Sequence, residues 1–112
     1  MQFDSEKISD TLMVIYHNEE RLDANMAPSF VKYVSSVVDD QVNDLIIVLS
    51  EVKFIDSSGL GALVTLLKRL NGRGAVHFVG VNTIVGDLFK LTRLDRLFVE
   101  YESVEKAIEK LS

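Results

Sequence analysis

The sequence predicts an α/β fold: a mixed, mostly parallel sheet of four or five strands with about four amphipathic helices. Two observations predict it. Short apolar runs rich in β-branched residues alternate with longer stretches in which apolar residues recur every three or four positions. Repeated strand–helix–strand order also demands right-handed crossovers, which lay successive strands parallel. The chain of 112 residues fits one domain, 1–112, long enough to bury a core without staples.

"TLMVIYH" (11–17) is apolar and β-rich, and "DSEKI" before it leads in as a partner strand. In "RLDANMAPSF" the period becomes helical. Asp23 or Asn25 can cap a helix there, and Pro28 is tolerable only in its first turn. Ala27, Phe30, Val31, Val34 and Val38 carry the apolar face to about Asp39. "DLIIVLS" (44–50) is a continuous apolar run and reads as a buried central strand, and "VKFI" returns the chain toward the core. From Ser57 to about Asn71, Leu60, Leu63, Val64, Leu67 and Leu70 are spaced as a helix that "NGRG" ends with a glycine cap. "AVHFVGV" (75–81) is another strand. Asn82 can cap "TIVGDLFKLTRL", whose Ile84, Val85, Leu88, Phe89 and Leu91 form a face. "LFVEY" (97–101) reads as an edge strand, and Ser103 caps a last helix with Val104, Ala107, Ile108 and Leu111 inward. A helical layer on the sheet accommodates these faces.

Composition narrows the function. The chain has no cysteine, which removes disulfides, thiol nucleophiles and Cys-based metal sites. A formal charge of −5 without an offsetting Lys/Arg cluster argues against nucleic acid as a partner. No apolar run reaches membrane-spanning length, and "MQFDSEK" has no signal-peptide pattern, so the expectation is a cytoplasmic protein without direct membrane insertion. An enzyme is not expected. His17 and His77 lie within or at the end of strands, no serine sits in a Gly-x-Ser-x-Gly elbow, and no phosphate-binding loop is present. The acidic residues are scattered, so no metal site and no cofactor are expected.

One stretch breaks the pattern. In "FIDSSGLGALVTLL" (54–67) an aspartate, two serines and two glycines interrupt an apolar run. The layout puts Asp56-Ser57-Ser58-Gly59 where a strand hands over to a helix, at the carboxyl edge of the sheet, where open α/β folds bind ligands and partners. Ser57 or Ser58 can cap the first turn, and Asp56 lies near the positive end of the helix dipole. Gly59 and Gly61 let another backbone or an anion approach, or serve packing alone.

"VKFIDSSGLGALVTLLKRL" (52–70) resembles the signature of the STAS family, named for sulfate transporters and anti-sigma-factor antagonists. "ERLDA", "LIIVLS" and "GVNTIVGDLFKLTRLDRLFVEYESVEKAIEKL" are similar in order and spacing, so the resemblance spans nearly the whole chain. It implies a STAS-like domain acting as a phosphorylation-controlled adaptor. Ser57, directly after the aspartate, falls on the phosphoacceptor of the family's antagonists. The implied partners are an anti-sigma factor that is also a serine kinase, bound by the unphosphorylated form, and a PP2C-type phosphatase that restores the serine. The implied partner surface comprises Asp23, Asp56, Ser58, Gly59 and Gly61, with Thr65 and Lys68 nearby. "NEERLD" lacks the glycine common before this turn, and Val48 stands where the family often has Asp or Asn. The alternative within the family is an adaptor subunit of a transporter or sensory complex.

Overall fold

The computed structural model describes residues 2–70 and 72–112. In chain order the elements are β1 (Phe3–Ser9), β2 (Leu12–His17), β3 (Arg21–Leu22), α1 (Ala27–Val37), β4 (Asp44–Val48), β5 (Phe54–Ile55), α2 (Ser57–Arg69), β6 (Val76–Val79), α3 (Thr83–Leu91), β7 (Phe98–Tyr101) and α4 (Val104–Leu111). A single 3-10 turn, Leu94–Arg96, links α3 to β7. Five strands form one sheet in the order β1-β2-β4-β6-β7. β1 pairs antiparallel with β2, and every other pairing in that sheet is parallel. This is the expected mixed sheet, with β7 at an edge.

Strand alternation sorts the apolar residues onto two faces. Met13, Ile15, Leu45, Ile47, Val76, Phe78 and Phe98 meet Phe30 and Val34 of α1, Leu63 and Leu66 of α2, and Val85 and Phe89 of α3. Leu12, Val14, Ile46 and Val79 turn the other way and pack with Ala107, Ile108 and Leu111 of α4. The helices therefore make two layers, not one. A sheet covered on both faces needs apolar residues at successive positions, which is why "DLIIV" is a continuous run.

Other departures have local causes. "VKFI" supplies only the two-residue β5, which pairs in parallel with β3 outside the main sheet. α1 stops at Val37, and Val38 is extended (φ −95°, ψ 122°). Its side-chain anchor is Asp23, which accepts from Asn25 N and Met26 N, while Met26 at the cap position contributes no side-chain bond. In α2 the deepest stripe is Gly59, Ala62, Leu63 and Leu66, with Leu60, Val64 and Leu67 only half-buried. In α3, Ile84 and Leu91 are 65% and 80% exposed. Val85 and Phe89 point into the core, and Ile84 sits one ~100° helical step away from that direction. The expected helix end at about Asn71 lies outside the described residues; Gly72, the first glycine of the expected cap, has a positive φ of 77°.

Both histidines are built into the fold. His77 Nε2 lies 2.9 Å from Asp44 Oδ1. His17 Nε2 lies 2.7 Å from the Arg21 carbonyl oxygen, with its ring edge-on to Phe30 and tilted against Phe3. Burial among these rings pushes the His17 pKa below its usual value, against a smaller opposing pull from the Arg21 carbonyl. The unfolded chain then binds more protons, so His17 favours the fold fully above about pH 6.5, and this contribution is lost as pH falls through that value toward the depressed folded pKa. Denaturant titrations at pH 7.5 and 5.5 should show lower stability at the lower pH. His17→Gln, which cannot take up the proton, should show a smaller drop.

Candidate functional site

β5 hands over directly to Asp56. Asp56 is extended (φ −115°, ψ −172°) and stands at the cap of α2, where its Oδ1 accepts from Gly59 N at 3.0 Å. Asp56 is therefore the cap, not Ser57 or Ser58. The carboxylate is a strong acceptor and faces the positive end of the helix dipole. Its Oδ2 accepts from Ala24 N at 3.1 Å, in the turn between β3 and α1.

With that duty taken, Ser57 and Ser58 are the first two helical residues, both exposed. Among the described residues the Ser57 hydroxyl has no hydrogen-bond partner, so its oxygen is exposed and uncommitted. Neither histidine can serve it as a base, because each is buried and bonded elsewhere. Among the described residues no group of His, Asp and Glu is placed to hold a metal ion.

The two glycines differ. Gly59 is buried, and a Cβ there would run into the Leu22 carbonyl oxygen and come within 2.7 Å of Ile55 Cγ1. Its lack of a side chain serves packing of α2 onto β3, so Gly59 does not lie on the open surface expected of it. Gly61 is exposed, and a Cβ there would meet nothing within 4 Å. It lines a shallow groove between α1 and α2 with Ala27, Pro28, Val31, Ser58, Ala62 and Thr65.

Asp23 is also turned inward, at 8% exposure. Its Oδ2 accepts from Arg21 Nε at 2.8 Å, and its Oδ1 accepts from Asn25 N and Met26 N. The Arg21 hydrogen bond chiefly, helped by those amides, holds the Asp23 carboxyl below its usual pKa. The expected partner contact thus spends its oxygens on the turn that leads into α1. Arg21 also lies 4.2 Å above the ring of Phe54, which is 43% exposed. Neither residue was singled out from the sequence. The signal was there: "RLDA" and "FIDS" share the order of side chain, aliphatic, aspartate and small residue, and the paired strands set Arg21 opposite Phe54.

Comparison with known proteins identifies the lineage. The STAS domain matches residues 2–107. The chain belongs to the STAS domain family. A Thermotoga maritima protein, named a candidate anti-sigma factor antagonist, is 33% identical over 107 residues, 94% of each chain. A crystal structure of a Thermotoga maritima protein of that description has a TM-score of 0.86 at 31% identity, covering 96% of this STAS chain and 92% of the other. The anti-sigma-B factor antagonist of Staphylococcus aureus is 32% identical over 85 residues, 75% of this chain and 79% of that protein. SpoIIAA, an anti-sigma factor antagonist, shares the fold in its unphosphorylated form (TM-score 0.82, 21% identity, 97% and 95% covered). Its phosphorylated Bacillus form does too (TM-score 0.76, 20% identity, 98% and 99% covered). None of the helices among the described residues is long and apolar enough to cross a membrane.

The geometry separates four substitutions that sequence position alone would group together. Gly59→Ala should destabilise by about 1–3 kcal/mol or more, since its methyl meets backbone. Gly61→Ala should be neutral or stabilise by up to about 1 kcal/mol. Asp56→Ala should cost about 0.5–2 kcal/mol as a lost cap, and Ser57→Ala less than about 0.5 kcal/mol. Thermal and denaturant unfolding of the four variants checks the order.

Proposed function

We propose that this STAS protein is a phosphorylation-switched anti-sigma-factor antagonist acting in the cytoplasm. Its unphosphorylated form binds an anti-sigma factor that is also a serine kinase, and the sigma factor is released. The kinase transfers the γ-phosphoryl group of ATP to Ser57 Oγ, the hydroxyl proton passes to a base of the kinase, and ADP leaves. A PP2C-type phosphatase hydrolyses the ester and restores binding. The chain supplies no catalytic group of its own.

The observation that carries this reading is the unpartnered, exposed Ser57 hydroxyl at the first position of α2, relieved of capping by Asp56. A kinase needs an accessible hydroxyl, and a residue holding its own helix start would resist being drawn into another active site. The relatives' names support the antagonist role, and a family fold described in both phosphorylated and unphosphorylated forms supports the switch. Phosphate adds about −1.5 to −2 charges and three acceptor oxygens. The dipole at the α2 start accommodates that anion by about 0.3–1 kcal/mol, so the fold survives and the change is felt at the interface.

The partner face on this reading is the start of α2, the Leu22–Ala24 turn and the groove past Gly61 toward Thr65 and Lys68. Ser57→Asp should weaken kinase binding strongly. Ser57→Ala should still bind and accept no phosphate, as read by calorimetry and by mass spectrometry after incubation with the cognate kinase and ATP. Phosphate on Ser58 instead, or on neither serine, overturns the assignment. Gly61→Trp should abolish binding with little change in circular dichroism, and retained binding by that folded variant removes this face from consideration.

A further inference from the structure

A helix cap needs one acceptor atom, and Asp56 uses two. Oδ1 caps α2 through Gly59 N at 3.0 Å. Oδ2 leaves its own helix and takes Ala24 N at 3.1 Å. Ala24 follows Asp23, whose side chain accepts from Asn25 N and Met26 N and whose carbonyl accepts from Met26 N and Ala27 N. An unbroken run of bonds therefore joins the start of α2 to the start of α1. Between those helix starts lies the groove that has Pro28 and Val31 on one wall and Ser58, Gly61 and Thr65 on the other.

We infer that Asp56 is a positioning residue for the partner surface: by holding Ala24 to the start of α2 it fixes the spacing of the two helix starts, and so the groove beside Ser57. The inference rests on the partner-switching reading for what the groove receives, but the bond to Ala24 can be tested without any partner.

Two substitutions divide the cap from the link. Serine caps helices as well as aspartate does, but its single oxygen on a shorter side chain serves Gly59 N and cannot also reach Ala24. Asparagine keeps the shape but has one carbonyl oxygen, and its NH2 group meets an N–H donor with another donor. If Asp56 were only a cap, both variants would behave as wild type.

The experiment uses the full chain and compares wild type, Asp56→Ser and Asp56→Asn. Hydrogen exchange of the Gly59 and Ala24 amides is measured by NMR, and affinity for the cognate anti-sigma-factor kinase by calorimetry. In Asp56→Ser the Gly59 amide should stay within about twofold of wild type, and Ala24 should exchange at least about fivefold faster. In Asp56→Asn one of the two amides should exchange faster. Both variants should bind the kinase at least about tenfold more weakly, although the Ser57 hydroxyl is untouched. Unchanged Ala24 exchange in Asp56→Ser overturns the inference. So does faster Ala24 exchange with wild-type affinity, and so does equal loss at both amides, which would make Asp56 a structural residue only. A wild-type chain that binds no serine kinase instead overturns the partner-switching reading, and the amide measurement keeps that failure distinct.

Discussion

Helix α2 starts so close to the Leu22 carbonyl that only a residue without a side chain fits at position 59. The rest of the site depends on that approach. With Gly59 seated there, Asp56 N reaches the Leu22 carbonyl at 3.4 Å, Arg21–Leu22 pair with Phe54–Ile55, and Asp56 spans both elements. A glycine inside a helix costs roughly 0.5–1 kcal/mol relative to alanine. At Gly59 that cost is offset by contact between α2 and β3. At Gly61 it is not, since no neighbour lies within 4 Å of where a Cβ would be. A small residue that gains nothing inside the chain leaves open space beside Ser58, and the functional reading gives that space a use.

The scaffold under the site is stiff for a separate reason. The central strands β2, β4 and β6 are buried on both faces by α1–α3 and by α4, and side chains such as Val14, Ile15, Ile46, Ile47 and Phe78 are at most 1% exposed. Each such side chain contributes roughly 1.5–3 kcal/mol on burial. Charge added at an exposed first turn touches none of them. A modification at Ser57 would therefore change the surface without disturbing what holds it up, which is what the proposed interface switch requires.

Much of this was legible because periodicity reports burial directly. The buried strands appear as unbroken apolar runs, and α4 was readable from Val104, Ala107, Ile108 and Leu111. The STAS signature pointed to Asp56-Ser57 as the candidate site. What the sequence hid depends on three-dimensional neighbours. Two serines after an aspartate do not say which of the three caps, because each can; the extended backbone at Asp56 decides it. Gly59 and Gly61 look alike as letters, and only the Leu22 carbonyl tells them apart. Ile84 and Leu91 read as core because an apolar residue at helical spacing carries no mark of which side of the helix faces the sheet. The separate β3–β5 ribbon was hidden because two residues are too few to show a period.

Asp23 and Asp56 occupy matched places, each directly after one of two parallel-paired strands and each holding the start of a helix. Their surroundings assign them different work. Asp23 has the Arg21 guanidinium at 2.8 Å, so its charge is neutralised locally, and the same guanidinium lies over Phe54. Asp56 is held by two backbone amides and by no cation among the described residues. Amides satisfy its lone pairs but leave its full charge at the surface, immediately before Ser57. A phosphate on Ser57 would add to a carboxylate that the helix dipole offsets only in part and that no side-chain cation among the described residues pairs, in a chain whose formal charge is already −5. Adjacent residues lie well within the screening length of about 8 Å at physiological salt, so a partner docked there would feel both charges together. Two aspartates in matched places thus divide the labour. Asp23 with its arginine secures the turn, and on the proposed reading Asp56 without one leaves a face that a phosphate on Ser57 would make repel its partner.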